Sequence, residues 1–142
     1  MNMNMSMNID ASNFLNLTQQ IQTNLERELR DTMQDIVDDL ARISSNIAPI
    51  RKSTLRRSVK KKVTGSVKLR TLKGTVSFRA VEDNFNYALW THESTYKLGP
   101  ISRASQGTDG YHVGNKYLSR PLYGEKAKYL RWMKEAVERS IG

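Results

Sequence analysis

The sequence lacks cysteine and any long apolar run. Because none of its 142 residues is cysteine, it has no disulfide framework and no cysteine-ligated zinc site. No apolar stretch approaches the roughly 18 residues that a membrane-spanning helix needs. The opening MNMNMSMNID has neither a basic segment nor an apolar core, so we expect no secretory signal. These absences predict a soluble protein with no membrane partner.

Motifs for nucleotide or metal chemistry are also missing. The sequence contains neither GxxxxGK[ST] nor GxGxxG, the glycine-rich loops that cradle phosphates. His92, Glu93 and Ser94 are consecutive, but neighbours in sequence point in different directions, whereas a catalytic triad needs three groups within mutual reach. Asp109 and His112 do not complete the compact ligand spacing of a zinc site. We therefore predict no catalytic site, no metal site and no cofactor.

The stretch NYALWTHES, residues 86–94, is predicted to be a packing segment instead. Tyr87, Leu89 and Trp90 offer apolar surface for contacts with a sheet and with helices. The pair of His92 and Glu93 is expected to hydrogen-bond a neighbouring backbone or subunit. The segment itself is predicted to be a short helix or turn.

The fold class predicted from the apolar pattern is α+β. Residues 1–9 are expected to be a flexible arm, and residues 10–142 a single α+β domain. From Phe14 to Ile43 the apolar residues recur every three or four positions, which indicates an amphipathic helix about 45 Å long.

An antiparallel β-meander of about three or four strands is predicted after this helix. Its segments are rich in Val and Thr and are separated by Gly65 and Gly74. The segments are SVKKKVT (58–64), SVKLRTL (66–72) and TVSFRAV (75–81).

The last part of the chain is predicted to be a long loop and a helix. Residues 95–116 show no apolar period, and a loop of this length is usually functional or disordered. A C-terminal helix is expected from soon after Pro121 to about Ser140, packed on the sheet. Its apolar stripe consists of Leu122, Leu130, Met133, Val137 and Ile141.

The net charge of +9 is distributed unevenly. Residues 1–48 carry three bases and seven acids, net −4, whereas residues 49–142 carry twenty bases and seven acids, net +13. This split predicts a nucleic-acid surface or contacts between acidic and basic patches of neighbouring subunits; merely solvated faces are the third interpretation. The acidic interface candidates are Glu28, Asp31, Asp35, Asp38 and Asp39. The basic candidates, for a subunit or for DNA, are Arg51, Lys52, Arg56, Arg57, Lys60, Lys61 and Lys62.

Two short motifs and their order resemble a known family. YALWTHE (87–93), a variable loop, VGNKYLSRPL (113–122) and an amphipathic last helix resemble the neck or tail-completion proteins of long-tailed bacteriophages, also described as head–tail joining or minor capsid proteins. TLRRSV (54–59) is similar to the basic segment that leads into the family's first strand. The matching positions, expected to pack, are Tyr87, Trp90, His92, Glu93, Gly114, Tyr117, Leu118 and Pro121.

This resemblance implies a structural virion protein and not an enzyme. It implies a homo-oligomeric ring, a hexamer or dodecamer, that stacks on adjacent neck, adaptor, portal or tail-terminator proteins. DNA would pass through the lumen with non-specific contacts to the duplex. The protein would be made in the host bacterial cytoplasm and reside in the virion neck.

The long loop gives a second hypothesis, and the basic run gives an alternative function. We expect the loop to touch a neighbouring ring or to face the lumen, through Tyr96, Ile101, Arg103 and Tyr111; a surface loop without a partner is the other interpretation. The alternative function is that of a small basic nucleic-acid-binding protein that uses residues 51–62 and the strand lysines.

Overall fold

One long helix organises the structure. The computed structural model describes residues 11–50, 54–82 and 84–142. The predicted arm of residues 1–9, together with Arg51 and Lys52, lies outside the described residues. In chain order the elements are α1 (Ala11–Ile47), α2 (Thr54–Arg57), β1 (Lys60–Thr64), β2 (Lys73–Ser77), β3 (Val81–Glu82), β4 (Phe85–Asn86), α3 (Tyr87–Glu93), α4 (Pro100–Ala104), α5 (Ser119–Gly124) and α6 (Lys126–Ile141).

Helix α6 runs antiparallel to α1. Near the start of α6, Tyr129 Oη donates to Asp39 Oδ2 at 2.9 Å, and near its end Arg139 Nε donates to Glu28 Oε2 at 3.1 Å. Ala136 lies between these contacts and is fully buried, so a small side chain occupies the middle of the helix pair. The most extensive contacts of α6 are with α1.

The antiparallel pair of β1 and β2 packs on another side of α1. Its register runs from Lys60 opposite Ser77 to Thr64 opposite Lys73. A Cβ atom at Gly74 would lie 2.6 Å from Val37 Cγ1 and 2.7 Å from Met33 Sδ, so the β2 backbone lies directly on the helix. Glycine is needed here because the strand approaches the helix so closely.

The core lies where the C-terminal end of α1 meets α2, α3 and the segment before α5. Ile47, Leu55 and Tyr117 are almost completely buried in it, together with three alanines. The Tyr117 ring meets Phe78 edge to face, with ring centroids 5.0 Å apart. Its hydroxyl donates to the Ala88 carbonyl at 2.7 Å, so the polar tip of this aromatic residue is satisfied inside the core.

The predicted α+β class is confirmed, with a long N-terminal helix, a two-stranded antiparallel sheet and a C-terminal helix. The middle strand of the predicted meander, residues 66–72, is a turn instead. Arg70 has a φ of 57°, and Thr71 N–H donates to Ser66 O at 2.9 Å. The Glu26 carboxylate accepts from Val67 N at 2.7 Å, which supplies a partner for an amide that a strand would have paired in a sheet.

The C-terminal region also differs from the prediction. The expected single helix is divided into α5 and α6, which join at Glu125 with φ −99° and ψ 4°. The predicted apolar stripe is largely not the buried face: Leu130 is 60% exposed and Ile141 is 66% exposed. Helix α6 turns Tyr129 and Ala136 toward α1 instead.

The predicted long loop is held against its own chain. It contains α4 and a β-bridge between Thr108 and Tyr111. Ser102 Oγ accepts from Ile50 N at 2.8 Å, and Ser102 is 2% exposed. Within the described ranges, no helix has the length and apolar character needed to cross a membrane.

Candidate assembly surfaces

His92 joins α3 to α5 through polar contacts at both ring nitrogens. Its Nδ1 lies 3.0 Å from Glu93 Oε1, while its Nε2 lies 3.3 Å from Ser119 Oγ and 3.4 Å from Ser119 N. In the tautomer that satisfies these contacts, Nδ1–H donates to Glu93 and Nε2 accepts from Ser119. Hydroxyl, imidazole and carboxylate thus follow the order of a catalytic triad, with Ser119 in place of the adjacent Ser94.

The surroundings of this trio favour an anchoring role. The Ser119 amide points to the same nitrogen as its hydroxyl, so this N–H is not directed at a developing oxyanion. Lys116 contacts the Glu93 carboxylate, and the Lys116 N–H donates to His92 O at 2.8 Å. The Lys116 ammonium and, after it, the His92 hydrogen bond hold the pKa of Glu93 below its usual range. The trio therefore fastens α3 to the segment that leads into α5.

Four other positions of the family-like motif lie in or beside the core. Tyr117 and Pro121 are fully buried, and the Gly114 N–H donates to Ile47 O at 3.0 Å. Leu118 is half-buried and lines a shallow cleft beside His92. These contacts hold the segment between the long loop and α5 against the core.

The aromatic residues of α3 are less buried than predicted. Trp90 stacks between Tyr87 and Tyr96, with ring centroids 6.5 Å and 5.2 Å away, and is 43% exposed. Leu89 is 59% exposed. Leu89 and Trp90 were predicted to pack on the sheet and the helices, but both keep a large exposed area because α3 buries Ala88 and Thr91 instead.

Asp39 is the most fully engaged of the five acidic candidates. It accepts hydrogen bonds from Lys128 at 2.8 Å, Tyr129 at 2.9 Å and Arg42 at 3.0 Å, and its side chain is only 15% exposed. Burial alone raises its pKa, but the hydrogen bonds from these donors outweigh burial, so the pKa is lowered. Asp39 thereby links α1 to α6 within one chain.

Two further acidic candidates are also paired within the chain. Asp38 Oδ1 lies 2.8 Å from Lys61 Nζ on β1, and Glu28 accepts from Arg139 on α6. The hydrogen bond from Lys61 is the main cause that lowers the pKa of Asp38. Acids of the N-terminal helix thus neutralise bases of the C-terminal region, so part of the charge split is compensated internally.

Asp31 and Asp35 remain available to a neighbour. Both are exposed, and within the described ranges neither forms an ion pair. They lie four residues apart, which places them about one turn apart on the same side of α1. If a subunit contact uses the acidic helix, these two carboxylates are the ones free to make it.

The predicted basic run does not form one surface. Arg56 is directed inward, where its Nε donates to Ala48 O at 2.8 Å and its Nη2 is buried without a hydrogen-bond partner in the described part of the chain. Burial lowers the pKa of Arg56. Lys61 points to Asp38, whereas Arg57, Lys60 and Lys62 are exposed.

Of the four loop candidates, two make contacts within the chain and two are exposed to solvent. Tyr96 Oη donates to Thr91 O at 2.6 Å, and burial raises the Tyr96 pKa to about 12. Tyr111 is half-buried beside the core. Ile101 is 66% exposed and Arg103 is exposed, so only these two are presented outward.

The surface that sequence reasoning missed is an exposed apolar stripe on α6. Leu130, Val137 and Ile141 are 60%, 37% and 66% exposed, and their spacing of seven and four residues puts them on one side of the helix. The available signal was a second apolar set, Tyr129 and Ala136, which is the set that packs on α1. A helix with two apolar sides can bury one within its own chain and leave the other free. We call the three exposed residues the α6 stripe.

Neither metal-binding side chains in the described ranges nor similarity to known proteins points to a function. Among residues 11–50, 54–82 and 84–142, no group of three or more His, Asp or Glu side chains could hold a metal ion. No protein-family model, curated protein or solved structure matches this chain.

Proposed function

We propose that this protein is a structural component of a tailed-phage neck, where it forms a ring through which DNA passes. The observation that supports this function best is the α6 stripe. Leucine and isoleucine side chains gain roughly 1.5–3 kcal/mol each when they are fully removed from water, and here they form a line on the surface of a helix. Apolar stripes of this kind mark interaction sites more often than isolated apolar residues do.

The resemblance motifs supply the virion context. In the fold, these motifs form one unit of α3, the segment 113–118 and α5, which is held together by hydrogen bonds. A rigid unit of this kind suits a ring subunit that must keep its shape while DNA passes through the ring. A ring arises when a patch on one subunit meets a different patch on the next with a rotation that closes. The α6 stripe is our candidate for one of these two patches.

Electron microscopy of the purified protein at several concentrations tests this function. We expect closed rings with an open channel, whose images give the number of subunits. The double variant Leu130→Ser with Ile141→Ser should remain monomeric, because a hydroxyl group cannot replace the apolar contact. At concentrations at which the parent is also monomeric, its melting temperature should match that of the parent, since both side chains are largely exposed in the single subunit.

Leu69→Ser is the matched control. Leu69 is 72% exposed in the turn between β1 and β2, so the chemical change is the same but the α6 stripe is intact. Rings should form from this variant as from the parent. Rings that persist in the double variant would contradict the assigned surface, and a protein that stays monomeric and is missing from purified virions would contradict the function.

A small basic nucleic-acid-binding protein is the second candidate function. Exposed lysines on the outward side of the hairpin favour it, whereas the inward Arg56 and the paired Lys61 weaken the case for the continuous run. In the second function the isolated protein would bind DNA as a monomer. The same microscopy, with DNA present, distinguishes that outcome from a ring.

A further inference from the structure

We propose that the outward face of the β1–β2 hairpin is a surface that contacts the phosphate backbone of double-stranded DNA. This inference rests on the proposed function, because it names the part of the subunit that meets the DNA. The face is formed by the alternate residues of the two strands, which we call the lysine face: Lys60, Lys62, Thr64, Lys73, Thr75 and Ser77.

The strand register establishes which side chains share this face. Side chains alternate between the two sides of a strand. Lys61 is directed to Asp38 on α1, and the Cβ direction of Gly74 meets Val37 and Met33 on the same helix. The residues next to them on each strand, Lys60, Lys62 and Lys73, therefore point away from α1.

The chemistry of the lysine face fits phosphate better than protein. It presents only ammonium and hydroxyl groups, the donors that contact DNA phosphates, with no carboxylate and no apolar side chain. The centre of a protein–protein interface is depleted of lysine and built from aromatic and other apolar side chains. We therefore assign the lysine face to DNA and the apolar α6 stripe to another subunit.

The lysines are close together and lack counter-charges. Lys60 and Lys62 are two residues apart on β1, about 7 Å, and Lys73 is the diagonal neighbour of Lys62 across the pair, about 7–8 Å away. Within the described ranges none of the three forms an ion pair. Like charges this close repel one another. A duplex supplies compensating charge densely, with one phosphate per 3.4 Å of axis on each strand.

The same composition predicts contact without sequence preference. Lys, Ser and Thr also read bases when they enter a groove, but the lysine face carries no Arg, Asn, Gln or acidic side chain, the other groups that recognise base edges. Lysine and hydroxyl contacts to phosphate are independent of base identity. A surface of this kind holds a duplex in a channel while allowing it to slide.

The salt dependence of DNA binding tests the assignment directly. The test variant is Lys60→Gln with Lys62→Gln and Lys73→Gln. The matched control removes the same charge elsewhere, through Lys97→Gln with Lys126→Gln and Lys134→Gln, three exposed lysines outside the hairpin. Binding to a fluorescent 30-base-pair duplex is followed by anisotropy between 50 and 200 mM salt, with two unrelated sequences.

Each phosphate contact contributes about 0.9 to the slope of log affinity against log salt. We expect the test variant to lower this slope by about 2.7, so that the parent loses roughly 40-fold more affinity than the variant between the two salt concentrations. The control should keep the parent slope, and both duplexes should bind equally. A test variant with the parent slope, or a control with an equal loss, would overturn the assignment.

Ring formation by the same variants is measured separately, which keeps the two proposals distinguishable. Rings from the test variant with a reduced salt slope support both. A reduced slope in a protein that never forms rings and is missing from purified virions supports the lysine face while rejecting the neck function. Rings with an unchanged slope reject the lysine face alone.

Discussion

Replacement of Asp39 by Asn should weaken the contact between α6 and α1 and lower the stability of the fold. The carboxylate accepts from Lys128, Tyr129 and Arg42, and Asn keeps one acceptor oxygen while it loses the charge. Hydrogen bonds to charged groups contribute about 1.5–3 kcal/mol each. Because Lys128 and Arg42 remain partly solvated, we expect a total loss of about 2–3 kcal/mol, below the 3–5 kcal/mol of a fully buried pair.

For a chain of this size that loss corresponds to a fall in melting temperature of about 6–12 °C. Circular dichroism at 222 nm during heating measures it. Asp35→Asn is the matched control, since Asp35 lies one turn away on the same helix, is exposed and has no ion pair within the described ranges. The control should change the stability by less than about 0.5 kcal/mol.

The pH dependence gives an independent check on the same residue. The folded state lowers the pKa of Asp39 from its ordinary 3.8, so its contribution is fully present above that value and is lost as pH falls through the lower folded pKa. The difference between the parent and Asp39→Asn should therefore be constant from pH 7 to pH 5 and shrink below about pH 4. If Asp39→Asn loses no more stability than Asp35→Asn, or if its loss persists undiminished in strong acid, then Asp39 does not hold α6 on α1.

Two further substitutions test the packing. Gly74→Ala should cost about 1–3 kcal/mol by overpacking the helix–sheet contact, whereas Gly99→Ala, with open space around it, should be neutral in the same denaturant titration. Tyr117→Phe should cost about 1–2 kcal/mol because the buried Ala88 carbonyl loses its donor, while Tyr123→Phe, at a residue 76% exposed, should leave the unfolding midpoint unchanged; equal effects of the two tyrosine variants would contradict the core assignment.

The uneven charge along the sequence is partly compensated by ion pairs within the folded chain. From the sequence, the net −4 segment and the net +13 segment predict a nucleic-acid surface or contacts between acidic and basic patches of neighbouring subunits. In the fold, Asp38 meets Lys61 and Asp39 meets Lys128, so the two segments partly neutralise each other. Charge reversal at Asp39 would therefore destabilise the subunit itself, and reversal at Asp38 would place a cation beside Lys61. Asp35 is the cleaner position at which to test an acidic subunit contact.

Local periodicity made the helical parts of this fold predictable. The steps of three and four residues from Phe14 to Ile43 describe most of α1, and the helix continues for one more turn, to Ile47. A helical period depends only on neighbours along the chain. The middle strand could not be predicted in the same way, because the turn at Val67 is stabilised by Glu26, which lies 41 residues away in sequence.

What the sequence by itself determined is the α+β class, the order of its main elements and the absence of cysteine chemistry. Only the tertiary structure decided which side of α6 is buried, which lysine of β1 is neutralised, and which serine meets His92. Ser119, 27 residues from His92, takes the place of adjacent Ser94. The physical reason is common to all three: a helical period is a local property of the sequence, whereas the partner of a side chain depends on long-range packing.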